Sequence, residues 1–177
     1  MRRSLASVLV AACAAPAHPR PPVCGQPVTL GGQDDIAAIA ACERTGAITL
    51  RSGEKLDLSV LRVREIAGDL AIGPSVGLEE ATFPQLATIA GTLRVAANSN
   101  LHGIYLPNLT HAGAVDIDGN AALATISLPR LAAVTGALSV TANPKLELLD
   151  LSALAHAASE TIACNHEAVV IERRPAP

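Results

Sequence analysis

Asp116, Asp118 and Asn120 alternate within Val115–Leu123, "VDIDGNAAL", with Gly119 among them. Oxygen donors at every second position, with a glycine for a sharp bend, are how a calcium-binding loop opens. Such a loop also needs a bidentate glutamate near its twelfth position, and counting from Asp116 that position is Ser127. The calcium reading therefore fails, and no metal or cofactor is expected. Other groups capable of chemistry are spread along the chain. His102, His111, His156 and His166 are scattered. No serine sits in a G-x-S-x-G elbow, and neither a P-loop nor HExxH is present. Without a clustered nucleophile, base or ligand set, the chain is expected not to be an enzyme.

What positions these residues is a repeat. Gly46, Gly68, Gly91, Gly113 and Gly136 are spaced by 22, 23, 22 and 23 residues. Two positions after each glycine stands Ile48, Leu70, Leu93, Val115 or Leu138. Four after stands Leu50, Ile72, Val95, Ile117 or Val140, and ten after Leu56, Leu78, Leu101, Leu123 or Leu146. The seventh position holds Gly53, Ser75, Asn98, Asn120 and Asn143. The later units thus read L-x-L-x-x-N-x-x-L, the core signature of leucine-rich repeats. Residues two apart on a strand share a face, so both aliphatics point inward. The asparagine then turns the chain, and its donors and acceptors satisfy main-chain groups bared inside the bend. Asn98, Asn120 and Asn143 are expected to stack as a ladder, which makes Asn120 structural.

The second half of each unit reads "TFPQLATIAG", "YLPNLTHAG" or "SLPRLAAVTG". Proline lacks an N–H and biases its predecessor towards extended geometry. Pro84, Pro107 and Pro129 therefore predict an extended return path and not a helix. The chain is half hydrophobic, yet has one Phe, one Tyr and no Trp, which suits many similar thin layers. The expected fold is mainly β: a short right-handed β-helix, or leucine-rich-repeat-like solenoid, of about five coils of 22–23 residues behind a short N-terminal helical cap.

The pattern G-x-L-x-[IV]-x-x-N-x-x-L…L-P-x-L-x-x-[IV]-x-G resembles the receptor L domain, a leucine-rich-repeat-like β-helix found in insulin-receptor and epidermal-growth-factor-receptor ectodomains. The resemblance runs from about Cys24 to Cys164 and is clearest over Gly68–Leu154. "CGQPVTLGGQDDIAAIAAC" resembles that family's N-terminal cap, in which a short strand (Val28–Leu30) precedes a short helix and the cysteine pair corresponds to Cys24 and Cys42. Asp34 and Asp35 fit the positive end of that helix, and Ile36 and Ile39 are expected to cover the first coil. Resemblance of this kind implies a fold and not a ligand.

The N-terminus reads as an address. "MRR" is a positive n-region, "SLASVLVAA" a short apolar run, and "VAAC" ends at Cys13. This resembles a bacterial lipoprotein signal, which implies lipidation of Cys13 and a membrane partner through that anchor. The apolar run is too short for a bilayer span of ~20 residues. "AAPAHPRPPV" follows as an extended Pro-rich tether. Export implies an oxidising compartment, consistent with a Cys24–Cys42 disulfide. Cys164 is left over and is expected as a buried thiol in the last layer. The expected organisation is a signal peptide over 1–12, a tether over 13–23, an N-terminal cap over 24–45, repeats over 46–158, and a C-terminal cap and tail over 159–177.

Net charge is −3 with no basic stripe, which argues against nucleic acid. Strand alternation sends Thr49, Ala71, Arg94, Asp116 and Ser139 outward, with Arg51, Gly73, Ala96, Asp118 and Thr141 two residues further on. Arg94, Asp116 and Asp118 are the central charges of that face and the candidate binding residues. The function expected is a binding or adhesion module for an envelope protein or glycan, lipid-anchored at the cell envelope and directed to the outer membrane. Two alternatives are a structural envelope lipoprotein without a specific ligand and a β-helical polysaccharide-acting enzyme.

Overall fold

The computed structural model describes residues 24–173. The expected signal peptide and tether, and Cys13 with them, lie outside the described residues. In chain order the elements are β1 (Val28–Leu30), α1 (Gln33–Ile39), β2 (Arg44–Thr45), β3 (Ile48–Leu50), β4 (Glu65–Ile66), β5 (Leu70–Ile72) and β6 (Glu80–Thr82). They continue as β7 (Thr88–Ala96), β8 (Gly103–Tyr105), β9 (His111–Asp118), β10 (Thr125–Ser127), β11 (Ala133–Thr141), β12 (Leu148–Leu151), β13 (His156–Ala163) and β14 (Val170–Arg173).

All strand pairings are parallel. β1, β3, β5, β7, β9, β11 and β13 lie side by side, with β2 and β4 joined to β7. A second sheet runs β14-β12-β10-β8-β6. The register of the first sheet shifts at the repeated glycine in β7, β9 and β11, and at Ala158 in β13. From the third turn onward each turn thus has three faces: a short strand before the glycine position, a longer one after it (the middle face), and a third in the second sheet. At Gly91 and Gly113 this corner has no room for a side chain. A Cβ on Gly91 would lie 2.8 Å from the Gly68 carbonyl carbon, and one on Gly113 would lie 2.6 Å from the Gly91 oxygen.

The β-solenoid has about seven turns, where the glycine count predicts five. β1 adds a turn before Gly46, and β13 with β14 add one after Gly136. The last turn carries Ala158 where the others have glycine, so a count of glycines misses it. The helix also differs from expectation. It lies within the first turn, between β1 and β2, in the chain position that a third-face strand takes later, and not as a cap ahead of the repeats. Asp35 Oδ2 accepts from the Gly31 and Gly32 N–H groups (2.9 and 3.1 Å), holding its N-terminus, while Ile36 and Ile39 are buried.

The three aliphatic columns fill the interior, and no member is more than 5% exposed. Each such side chain contributes roughly 1.5–3 kcal/mol of apolar burial. The proline corners are tight turns: the N–H of Leu86, Leu109 and Leu131 donates to the carbonyl of Phe83, Leu106 and Leu128 (3.4, 3.2 and 3.1 Å). Proline at the second position presets the φ this turn needs. "DLSVL" (57–61) and "DLSAL" (150–154) make the same corner without proline. There the carboxylate of Asp57 or Asp150 accepts from the N–H of Ser59 or Ser152 (2.9 and 3.0 Å).

Cys24 and Cys42 form a disulfide with Cα atoms 5.5 Å apart, tying the chain before β1 to the end of the helical segment. Cys164 is free and exposed, contrary to the buried thiol expected. It occupies a corner position whose counterparts Ala97, Gly119 and Ala142 are also exposed.

Candidate binding face

The strands of the middle face, which follow the glycine in each turn, end in the asparagine corner. Asn98, Asn120 and Asn143 are buried at 0–1% exposure. Asn98 Nδ2 donates to Asn120 Oδ1 (2.9 Å), Asn120 Nδ2 to Asn143 Oδ1 (3.1 Å), and Asn143 Nδ2 to Asn165 Oδ1 (3.1 Å). The main-chain N–H of each donates to the same Oδ1 of the next turn. The same Nδ2 groups also reach back to carbonyls: Asn120 to Val95 and Asp118 (3.0 and 3.1 Å), Asn143 to Ile117 and Thr141 (3.2 and 2.7 Å). A buried carbonyl without a partner costs about 1–3 kcal/mol, so each asparagine removes several such penalties.

Asn165 is a ladder residue that the repeat spacing alone did not single out, although it stands 22 residues after Asn143. Towards the other end serine takes over. Ser75 Oγ donates to the Ser52 carbonyl (2.6 Å), and Ser52 Oγ donates to the Gly31 carbonyl (3.1 Å) and accepts from the Glu54 N–H (3.0 Å). The second turn has one residue fewer in this corner, so Ser52 and not Gly53 falls in the column. Where serine replaces asparagine, Asn98 Oδ1 is left buried without a partner.

The ladder also holds backbone strain. Ala97, Gly119, Ala142 and Cys164 each directly precede a ladder asparagine, and all four are left-handed, with φ of 57°, 65°, 53° and 57°. Only one is glycine. For an L-residue this conformation costs ~1–2 kcal/mol, offset here by the asparagine bonds formed one residue later.

On the outer surface the register sets Thr49, Ala71, Arg94, Asp116, Ser139 and Thr161 in one row across six strands. Ala96, Asp118, Thr141 and Ala163 form the next row. Arg94 and Asp116 are therefore direct cross-strand neighbours, with Nη1 and Oδ2 3.7 Å apart. The pair is solvated, with side chains 64% and 38% exposed, so its own contribution to stability is small. Asp118 lies on the same side and accepts from Thr141 Oγ1 at 2.7 Å. The three predicted residues come together as one charged cluster. Short side chains surround it, so its charges are open to an approaching partner.

The histidines do not converge. His111 and His156 occupy one row of the first face with Ala133 between them. His102 lies just before β8, and His166 just after the last ladder position. Among the described residues, no group of three or more His, Cys, Asp or Glu is placed to hold a metal ion, and no helix is long and apolar enough to cross a membrane.

A charged pair inside the last turn was not expected from the sequence. Glu160 falls in the core column of Leu93, Val115 and Leu138, and Arg173 in register with Leu151. Their side chains form a two-pronged ion pair. Comparison of the chain with protein-family models, curated proteins and solved structures gave no match.

Proposed function

We propose that this chain is a binding or adhesion module of the cell envelope, a receptor-L-domain-like solenoid that offers the outer side of its middle face to a protein or glycan. The observation that supports this most is the Arg94–Asp116–Asp118 cluster on a small-residued surface. Both charge signs lie within neighbouring strands, an arrangement that sets register and specificity more than raw affinity. With no aromatic anchor in the cluster, a single copy is expected to bind at about micromolar affinity or weaker, and many copies on one surface supply avidity.

The sequence supports an address in the same reading: export, lipidation at Cys13 and placement at the outer membrane, with the Pro-rich tether as spacer. Detergent partitioning of wild type and Cys13→Ser tests the anchor. The binding reading is tested by replacing Arg94, Asp116 and Asp118 with Ala and repeating capture from envelope extract. Loss of partners with an unchanged melting temperature supports it. Full retention makes the face merely solvated and favours a structural envelope lipoprotein.

A further inference from the structure

The third face is incomplete. The first sheet has strands from every turn, but the second sheet begins only at β6, in the third turn. In the second turn the equivalent segment is Lys55–Ser59, aligned through "DLSVL" with "TFPQL". Its side chains Leu56 and Leu58 are buried, so the segment packs on the core like a strand. Yet it does not pair with β6.

The missing bonds can be named. In later turns the N–H after each third-face strand crosses to the next turn: Phe83 to the Tyr105 carbonyl, Leu106 to Ser127 and Leu128 to Asp150, at 3.1, 3.1 and 3.0 Å. The counterpart, from Leu58 to the Thr82 carbonyl, is not made. In a parallel ladder, alternate residues turn their main-chain groups to opposite edges. Phe83 N–H bonds towards β8, so the N–H and C=O of Glu80 and Thr82 face the second turn. Among the described residues β6 pairs with β8 alone, so those four groups have no main-chain partner, and neither do Leu56 N–H, Leu56 C=O or Leu58 N–H opposite them. Asp57 is turned the other way, its N–H and C=O paired with the Gln33 side chain at 3.0 and 3.3 Å.

Between these two rows lies a groove of about 610 Å³, lined by Gln33, Lys55–Ser59, Glu79, Glu80 and Thr82. Its charges are Asp57, Glu79 and Glu80 against Lys55 alone. Lys55 Nζ already meets Glu79 Oε2 at 2.6 Å, which leaves the acids of Asp57 and Glu80 in excess.

We propose that this groove is a second binding site, which takes an extended peptide segment carrying a basic side chain. Main-chain bonds to the free edge of β6 supply the hold, as in strand addition to an exposed sheet edge. The acidic lining selects the basic side chain. Open main-chain donors and acceptors at strand spacing match a peptide backbone, which offers both at the same repeat.

The probe is the labelled peptide acetyl-Val-Thr-Lys-Val-Thr-Lys-Val-amide, added to the full chain in detergent. Binding is read by fluorescence anisotropy, with amide hydrogen exchange followed residue by residue. The Glu80 and Thr82 amides are expected to exchange freely in the unbound protein and to slow on saturation. Methylating alternate peptide nitrogens is expected to weaken binding about tenfold or more, because the edge bonds are lost. Glu80→Lys is expected to weaken it about tenfold at unchanged melting temperature, with Glu80→Gln in between. The triple Ala variant of the middle face is expected to bind the peptide as wild type does, which separates this site from that one. Absence of binding, equal binding of the methylated peptide, or unchanged exchange at Glu80 and Thr82 under saturation overturns the proposal.

Discussion

Glu160 and Arg173 occupy, in the last turn, the inward positions that Leu138 and Leu151 hold one turn earlier, and they pair with each other across the end of the core. A repeat that stopped on leucines here would leave an apolar end beside two unpaired strand edges, a template for further stacking. The ion pair places charge at that end, beside the exposed Val170 and Ile171 of β14.

This pair predicts an acid-sensitive contribution to stability. The hydrogen bond from Arg173 holds the Glu160 carboxyl below the usual glutamate range, and partial burial opposes it less strongly. A depressed carboxyl stabilises the fold above its unfolded value of about 4.3 and loses that contribution as pH falls through the folded value. Wild type is therefore expected to exceed Glu160→Gln by about 0.5–1 kcal/mol at neutral pH, a small figure because both groups are about one third exposed. The gap should close as pH drops through the carboxylate range, which melting curves across pH will read. Replacing both residues with Leu is expected to produce concentration-dependent association in light scattering.

The ladder predicts a larger effect. Asn120→Leu removes donors to Val95 and Asp118 and leaves the Asn98 N–H facing a methyl group. The expected loss is roughly 2–4 kcal/mol, more than one ordinary hydrogen bond, because several buried groups lose partners together. Denaturant unfolding measures it, and an unchanged midpoint contradicts the ladder.

The left-handed corner predicts opposite signs at equivalent positions. Ala142→Gly relieves strain and is expected to stabilise by about 0.5–1 kcal/mol. Gly119→Ala is expected to destabilise by a similar amount, since a Cβ there meets no neighbour within 4 Å and only the backbone objects. Paired melting curves of the two variants are the check.

Much of this architecture was legible because the interior repeats strictly. Glycine, two aliphatics and asparagine recur at fixed offsets, so the solenoid, the inward columns and the outward row of Arg94 and Asp116 come directly from spacing. The two ends were not legible. In the first turn a helix stands where later turns have a strand, and in the last Ala158 and Glu160 break the glycine and leucine columns. There Ile162 and Asn165 kept the spacing of Val140 and Asn143. The groove beside β6 was hidden for another reason. "DLSVL" repeats the corner well enough to look like any other turn, and nothing in its sequence says that its main chain stays unpaired.

The cysteines separate by accessibility. Cys164 is expected to react with a thiol reagent in the folded protein without reductant, while Cys24 and Cys42 become reactive only after reduction. Breaking that disulfide is expected to cost about 2–4 kcal/mol, as for other loops of similar size. Mass mapping of labelled peptides and melting with and without reductant test both parts.

Position-specific photocrosslinking tests whether the middle face meets a partner, as proposed. A photoreactive residue at Ser139, beside Asp116 on the outer row, is compared in intact cells with one at Ala133 on the first face. The expected result is a discrete adduct from Ser139 that disappears when Arg94, Asp116 and Asp118 are changed to Ala, with none from Ala133. Adducts that arise equally from both positions, or that survive the triple substitution, would contradict it.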